Sequence, residues 1–85
     1  MYVIKILKSA QRDLDKLSSR DFLFVDERIQ ALKLEPRPRG CVKLRGYQTD
    51  FYRVRQGRFR IIYEILDREL VITIIEVADR KEVYR

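Results

Sequence analysis

The sequence predicts an α+β fold: an N-terminal strand, a helical hairpin, then an antiparallel-dominated sheet with the helices packed on one of its faces. Three observations carry this. A β-branched run, YVIKIL, opens the chain. Apolar residues then recur at helical spacing as far as Pro36, and after PRPRG (36–40) the period changes from 3.6 to 2. That connector is too short to separate two cores, so residues 1–85 are read as a single domain.

Tyr2–Leu7 reads as a strand with Lys5 as its only charge. Ser9 is placed to cap a first helix in which Ala10, Leu14 and Leu17 recur, and Ser18 or Ser19 to cap a second. In the second, Phe22, Val25, Ile29 and Leu32 form one apolar stripe. Pro36 ends it, because the residue before proline is disfavoured in the α region. A short strand is expected at Val42–Arg45, stopping at Gly46, and longer ones at Asp50–Arg55, Arg58–Leu66 and Glu69–Val77. The last is apolar on both faces, as a central strand would be, and the polar tail ADRKEVYR is expected to leave the sheet.

Within YRVRQGRFRIIYEI (52–65), Gln56-Gly57 fits a two-residue hairpin turn. That register pairs Arg55 with Arg58 and Arg53 with Arg60, placing four arginines on one face and Tyr52, Val54, Phe59, Ile61, Tyr63 and Ile65 on the other, toward the helices. A turn at Asp67-Arg68 then sets Arg60 opposite Ile75 and Ile62 opposite Thr73, so the arginines adjoin a partly apolar floor with Glu64 as the nearby acid. A solvated sheet face normally mixes signs, and opposed like charges are destabilising. Arginines in this pattern suit bidentate phosphate contacts.

Charge placement points the same way. Residues 36–60 hold eight basic residues and one acid, whereas the remainder holds eleven bases and twelve acids, so this segment supplies the whole net charge of +6. A polyanion is the expected partner, nucleic acid first. Histidine is absent and Cys41 is the only cysteine, which excludes histidine-based ribonuclease chemistry, an intramolecular disulfide and a cysteine-based zinc site. No metal or cofactor is called for. The apolar runs are too short to span a bilayer and MYVIKILK lacks a signal-peptide layout, so a soluble cytoplasmic protein is expected.

Metal-free RNA cleavage requires a deprotonated 2′-OH, stabilised charge on a pentacoordinate phosphate and a protonated 5′-oxygen. Arginine suits the second task and is a poor base. Tyr84, Lys81, Lys43, Glu82 and Glu64 are the proton-transfer candidates, with Tyr84 alternatively stacking on a base or packing on the sheet edge. KLRG (43–46) either extends the phosphate footprint through Lys43 and Arg45 or is a solvated loop. Cys41 is read as incidental, and Asp79 as a turn or salt-bridge residue.

KLRG, YRVRQGRFRIIYEI and DRKEVY (79–84), in this order behind a strand and a helical hairpin, resemble the RelE toxins of the RelE/ParE superfamily. The resemblance covers essentially the whole chain. It implies the RelE-like microbial ribonuclease fold and the toxin of a type II toxin-antitoxin module, partnered by a cognate antitoxin. The implied activity is metal-independent endoribonucleolytic cutting of mRNA in the A site of the 70S ribosome, with no membrane role. By the same resemblance Arg53, Arg55, Arg60, Arg80 and Tyr84 are catalytic, and Lys43, Arg45, Arg58 and Lys81 bind RNA. Better-known relatives carry lysine where Arg53 and Arg55 stand, which leaves the proton acceptor open. Two other functions are weighed beside this one: a ParE-like inhibitor of DNA gyrase, and an RNA-binding module without catalysis.

Overall fold

The computed structural model describes residues 1–46 and 48–80. Its elements run β1 (Val3–Ile6), α1 (Lys8–Asp15), α2 (Ser19–Ala31), β2 (Val42–Arg45), β3 (Asp50–Gln56), β4 (Phe59–Leu66) and β5 (Val71–Asp79). The strands form one sheet in the order β1-β5-β4-β3-β2, antiparallel except where β1 runs parallel to β5. β5 is thus an interior strand, flanked by β1 and β4, consistent with its two-faced apolar sequence, while the middle position belongs to β4.

The predicted fold class is the one observed, and most differences are local. Ser18 caps α2 by accepting a hydrogen bond from the Asp21 N–H at 3.1 Å. Ser9 does not cap α1; the N-cap position is Leu7, and Ser9 lies inside the helix. Its hydroxyl instead donates to the Ile75 carbonyl of β5 at 2.9 Å. α2 stops at Ala31, with a run of turns leading to Pro36. β5 continues to Asp79, so the tail stays in the sheet two residues longer than predicted.

Both hairpin registers also differ. The β3–β4 turn is Gly57-Arg58, with Gln56 opposite Phe59, Arg55 opposite Arg60 and Arg53 opposite Ile62. Gly57 takes φ 60° at the first central position, as a two-residue primed turn requires. Each partner has moved by two residues, a full side-chain period, so strand residues keep their predicted faces. Arg58 is the exception, because it now belongs to the turn. The β4–β5 connection occupies residues 67–70, with Leu70 in the left-handed region at φ 55°, and Arg60 faces Ala78 while Ile62 faces Glu76.

A β-bulge lies at Ile75, where the β4–β5 register shifts between Ile62 and Tyr63. It changes the phase of β5, so that Ile72, Ile74 and Val77 all face the helices although their spacing is not strictly two. These three join Val54, Phe59, Ile61 and Tyr63 from the sheet and Ala10, Leu14, Val25, Ile29 and Leu32 from the helical layer in one buried core. Tyr63 is fully buried there; its hydroxyl donates to the Pro36 carbonyl at 2.7 Å, and burial pushes its pKa up.

Helix α1 secures the bulge. Ser9 and Asp13 are four residues apart and so share a helix face. Ser9 satisfies the Ile75 carbonyl, and the Asp13 carboxylate accepts the Val77 N–H at 3.0 Å. Both groups lie past Ile74, where β1 stops pairing with β5, and find side-chain partners on α1 instead. At the far end of the sheet, Asp67 accepts from Arg37 at 2.8 Å and from the Tyr2 hydroxyl at 2.7 Å, tying the β4–β5 connection to the PRPRG segment and the N-terminus.

Asp13→Ala strips the partner from the Val77 N–H, and the expected cost is about 1 to 3 kcal/mol in chemical denaturation. Arg12→Ala, one residue away and exposed, is expected to stay within about 0.5 kcal/mol of wild type. The Asp67 contacts predict an acid dependence. Hydrogen bonds from Arg37 first and Tyr2 second hold its carboxyl down to about 2. A carboxyl depressed in the folded state stabilises it above the unfolded value of about 4, and this is lost as pH falls through the folded one. The melting temperature of Asp67→Asn should therefore lie below wild type at neutral pH, with the gap closing between about pH 4 and pH 2. A gap that stays constant across that window excludes an ionic origin.

Candidate functional site

Side chains of the sheet alternate between an inner face under the helices and an outer face. The pairing of β3 with β4 puts Phe51, Arg53 and Arg55 of β3 on the outer face with Arg60, Ile62 and Glu64 of β4. β5 adds Glu76 and Ala78 beside them, and β2 adds Val42 opposite Arg53 and Leu44 opposite Phe51. Arg55 and Arg60 are directly opposed, which sets their Cβ atoms about 5 Å apart, and Arg53 lies on the diagonal to Arg60. Arg55 is exposed; Arg53 and Arg60 are half-buried.

Three other basic residues of the segment have found carboxylates. Arg37 pairs with Asp67 at 2.8 Å, Lys43 with Asp50 at 3.2 Å, and Arg58 with both Asp79 at 2.9 Å and Asp21 at 3.0 Å. Among the described residues Arg53, Arg55 and Arg60 have no such partner. Arg39 and Arg45 also lack one but lie off this face, so the outer face gathers three of the segment's five cations without carboxylate partners among the described residues, with a like-charge pair across one rung of the ladder. Guanidinium donors held on a rigid sheet in this way fit a phosphodiester and the charge that develops on it during cleavage.

The structure separates the sequence-predicted residues into three groups. Arg53, Arg55 and Arg60 come together as expected. Arg58 does not join them: its guanidinium turns to the helix side, lies 4.7 Å from the Phe59 ring centroid and binds two carboxylates. Lys43 and Arg45 also miss the outer face, because β2 pairs them with Tyr52 and Asp50, which belong to the inner-face set. Arg80 follows β5 directly, and its N–H donates to the Arg58 carbonyl at 2.8 Å. Lys81, Glu82 and Tyr84 lie outside the described residues.

Two outer-face residues escaped sequence reasoning. Phe51 is in phase with Arg53 and Arg55, so alternation alone would have found it; it supplies a half-buried aromatic surface suited to stacking on a base. Its ring lies over Gly46, where an added Cβ would sit 2.7 Å from a ring carbon. Glu76 is on this face only because of the bulge. With Glu64 it is one of the two carboxylates of the outer face among the described residues, and it is exposed opposite Ile62 on the strand next to Arg60. Tyr63, buried and bonded to Pro36, takes no part in the face.

Comparison with known proteins gives a consistent set. A family model described as "ParE toxin of type II toxin-antitoxin system, parDE" matches residues 4–84. Toxin RelG of Mycobacterium tuberculosis is 31% identical over 90 residues, spanning 99% of this chain and 97% of RelG. Among solved structures, the chain is similar to the archaeal RelE-RelB complex from Pyrococcus horikoshii, with TM-score 0.80 and 32% identity over 93% of this chain and 94% of that one. It is also similar to the isolated Escherichia coli RelE toxin, with TM-score 0.79 and 25% identity over 99% of this chain and 92% of that one.

The opposed arginines predict that the site is held at some expense to stability. Arg55→Gln removes the repulsion across the Arg55–Arg60 rung and should raise the melting temperature of the free protein by roughly 2 to 4 °C at low ionic strength. Because the repulsion lies at an exposed position, the gain should fade as added salt shortens the screening length toward about 3 Å near 1 M. A gain independent of salt would trace to packing instead.

Proposed function

The chain belongs to the RelE/ParE superfamily of type II toxin-antitoxin toxins, and from that membership we propose that it is a ribosome-dependent, metal-independent endoribonuclease that cuts mRNA in the A site. The observation that carries the proposal is the outer face itself: three arginines without carboxylate partners among the described residues, beside an aromatic surface and two carboxylates. A face of this kind suits single-stranded RNA, whose phosphates meet the arginines while its bases stack.

In the proposed reaction the 2′-oxygen attacks the adjacent phosphorus and the P–O5′ bond breaks, leaving a cyclic phosphate and a 5′-hydroxyl. Arg60, flanked by Arg55 and Arg53, neutralises charge on the non-bridging oxygens as the pentacoordinate phosphate forms. Arginine cannot also take the 2′-OH proton, since it stays charged at any working pH. Glu64 and Glu76 are the described outer-face groups suited to accept it; Lys81, Glu82 and Tyr84 in the tail complete the candidate set for proton transfer and base stacking. Arg80, at the point where the tail leaves β5, supports the leaving group or the phosphate. Lys43 and Arg45, on the edge strand, would meet RNA only as it passes around the sheet edge.

The partner of a type II toxin is its antitoxin, and the P. horikoshii relative was crystallised with RelB. For this chain we assign the antitoxin an acidic or amphipathic segment that covers the unpaired arginines, neutralising the same cations that RNA requires.

Primer extension on mRNA from translating ribosomes tests the proposal. Cuts confined to A-site codons are expected, and Arg60→Ala should reduce them by about 10²- to 10³-fold while its melting temperature stays near wild type. Gyrase inhibition with intact mRNA, or RNA binding without cleavage, overturns the enzymatic reading in favour of one of the other two. An Arg60→Ala protein that is folded and fully active removes Arg60 from the chemistry.

A further inference from the structure

Resting on that reading, we infer that Arg58 is a positioning residue: from the β3–β4 turn it fixes where the chain leaves β5, and through this the placement of Arg80 relative to Arg60. One residue makes four contacts that converge on this point. Its guanidinium Nε donates to Asp79 at 2.9 Å and its Nη2 to Asp21 at 3.0 Å, its carbonyl accepts the Arg80 N–H at 2.8 Å, and its planar head lies 4.7 Å from the Phe59 ring centroid.

The geometry joins three elements. Asp21 stands in the first turn of α2, where its own N–H is fixed by the Ser18 cap. Asp79 is the last residue of β5 and pairs across the ladder with Phe59, the neighbour of both Arg58 and Arg60. A hairpin tip, a helix start and a strand end are thus pinned to one planar fork, which an ammonium could not match because it lacks two donors at a fixed angle. The two carboxylates take up Nε and an Nη2 donor and neutralise the charge that a phosphate would need. Arg58 is therefore set apart from the unpaired arginines by function as well as by face.

Exposed ion pairs contribute little to global stability, and the Arg58 side chain is 48% exposed. A positioning role consequently predicts a rate effect out of proportion to any stability effect. In the translating-ribosome cleavage assay, Arg58→Gln should lower the single-turnover rate about tenfold or more while the ribosome concentration at half-saturation and the melting temperature remain near wild type. In an Arg80→Ala background Arg58→Gln should cost nothing further, because the group it positions is gone. Arg58→Lys, restoring one carboxylate contact, should recover part of the rate. Losses that multiply in the double variant, or a raised half-saturation with altered salt dependence and unchanged rate, identify a phosphate contact and overturn the inference.

A second measurement does not need activity. Amide hydrogen exchange at Arg80 should accelerate in Arg58→Gln and not in Arg55→Gln, and unchanged protection at Arg80 overturns the inference. Should the wild-type protein fail to cut mRNA, the proposed function falls, while this exchange experiment still decides whether Arg58 holds the end of β5.

Discussion

The bulge at Ile75 is the constraint from which the rest of the molecule follows. The apolar residues of β5 do not keep a single period of two: Ile72 and Ile74 are in phase with one another, and Val77 is not. A regular strand would have to turn either the first pair or Val77 away from the helices. One extra residue resolves the conflict, at the point where β5 runs past its last β1 pair, Ile6–Ile74. Ser9 and Asp13 supply the missing partners from α1, and the same helix buries Ala10 and Leu14 against the sheet. Core packing and polar satisfaction are met by a single docking geometry, as expected of a sequence whose local and global preferences agree.

The bulge also shapes the opposite surface. By shifting phase it sends Glu76 and Ala78 outward beside Arg60 and Ile62, and keeps Asp79 on the inner side within reach of Arg58. Basic residues of the segment are then sorted by partner. Arg37 and Arg58 brace the connections with carboxylates and Lys43 ties β2 to β3, whereas three of the residues without carboxylates among the described residues, Arg53, Arg55 and Arg60, share the outer face. Folding energy that could have been gained by mixing charges there is forgone, a pattern that belongs to a binding surface more than to a stabilising one.

Much of this was legible because side-chain alternation is robust to error. The turn was placed one position early, yet Arg53, Arg55 and Arg60 stayed on their face because each strand partner moved by a full period. Arg58 was misplaced for the same reason: a residue inside a turn has no alternation to obey, and only the positions of Asp21 and Asp79 reveal where its guanidinium goes. Ser9 shows a different limit. Serine ahead of an apolar helical stripe is a sound cap signal, but the hydroxyl bonds instead to the Ile75 carbonyl, which is 66 residues away and lies just past the last β1–β5 pair, Ile6–Ile74. Lys43 and Arg45 depended on how β2 aligns with β3 across the connection at 46–49, a register that no local pattern specifies.

The choice of arginine over lysine at 53 and 55 now acquires a physical reading. A lysine on this face can exchange a proton as well as carry charge, whereas arginine only carries charge. In the proposed reaction, a site built from arginines alone separates the two tasks and leaves the proton to another kind of group. The outer face provides carboxylates within the same plane of side chains, and Glu76 arrives beside Arg60 through the irregularity that completes the core.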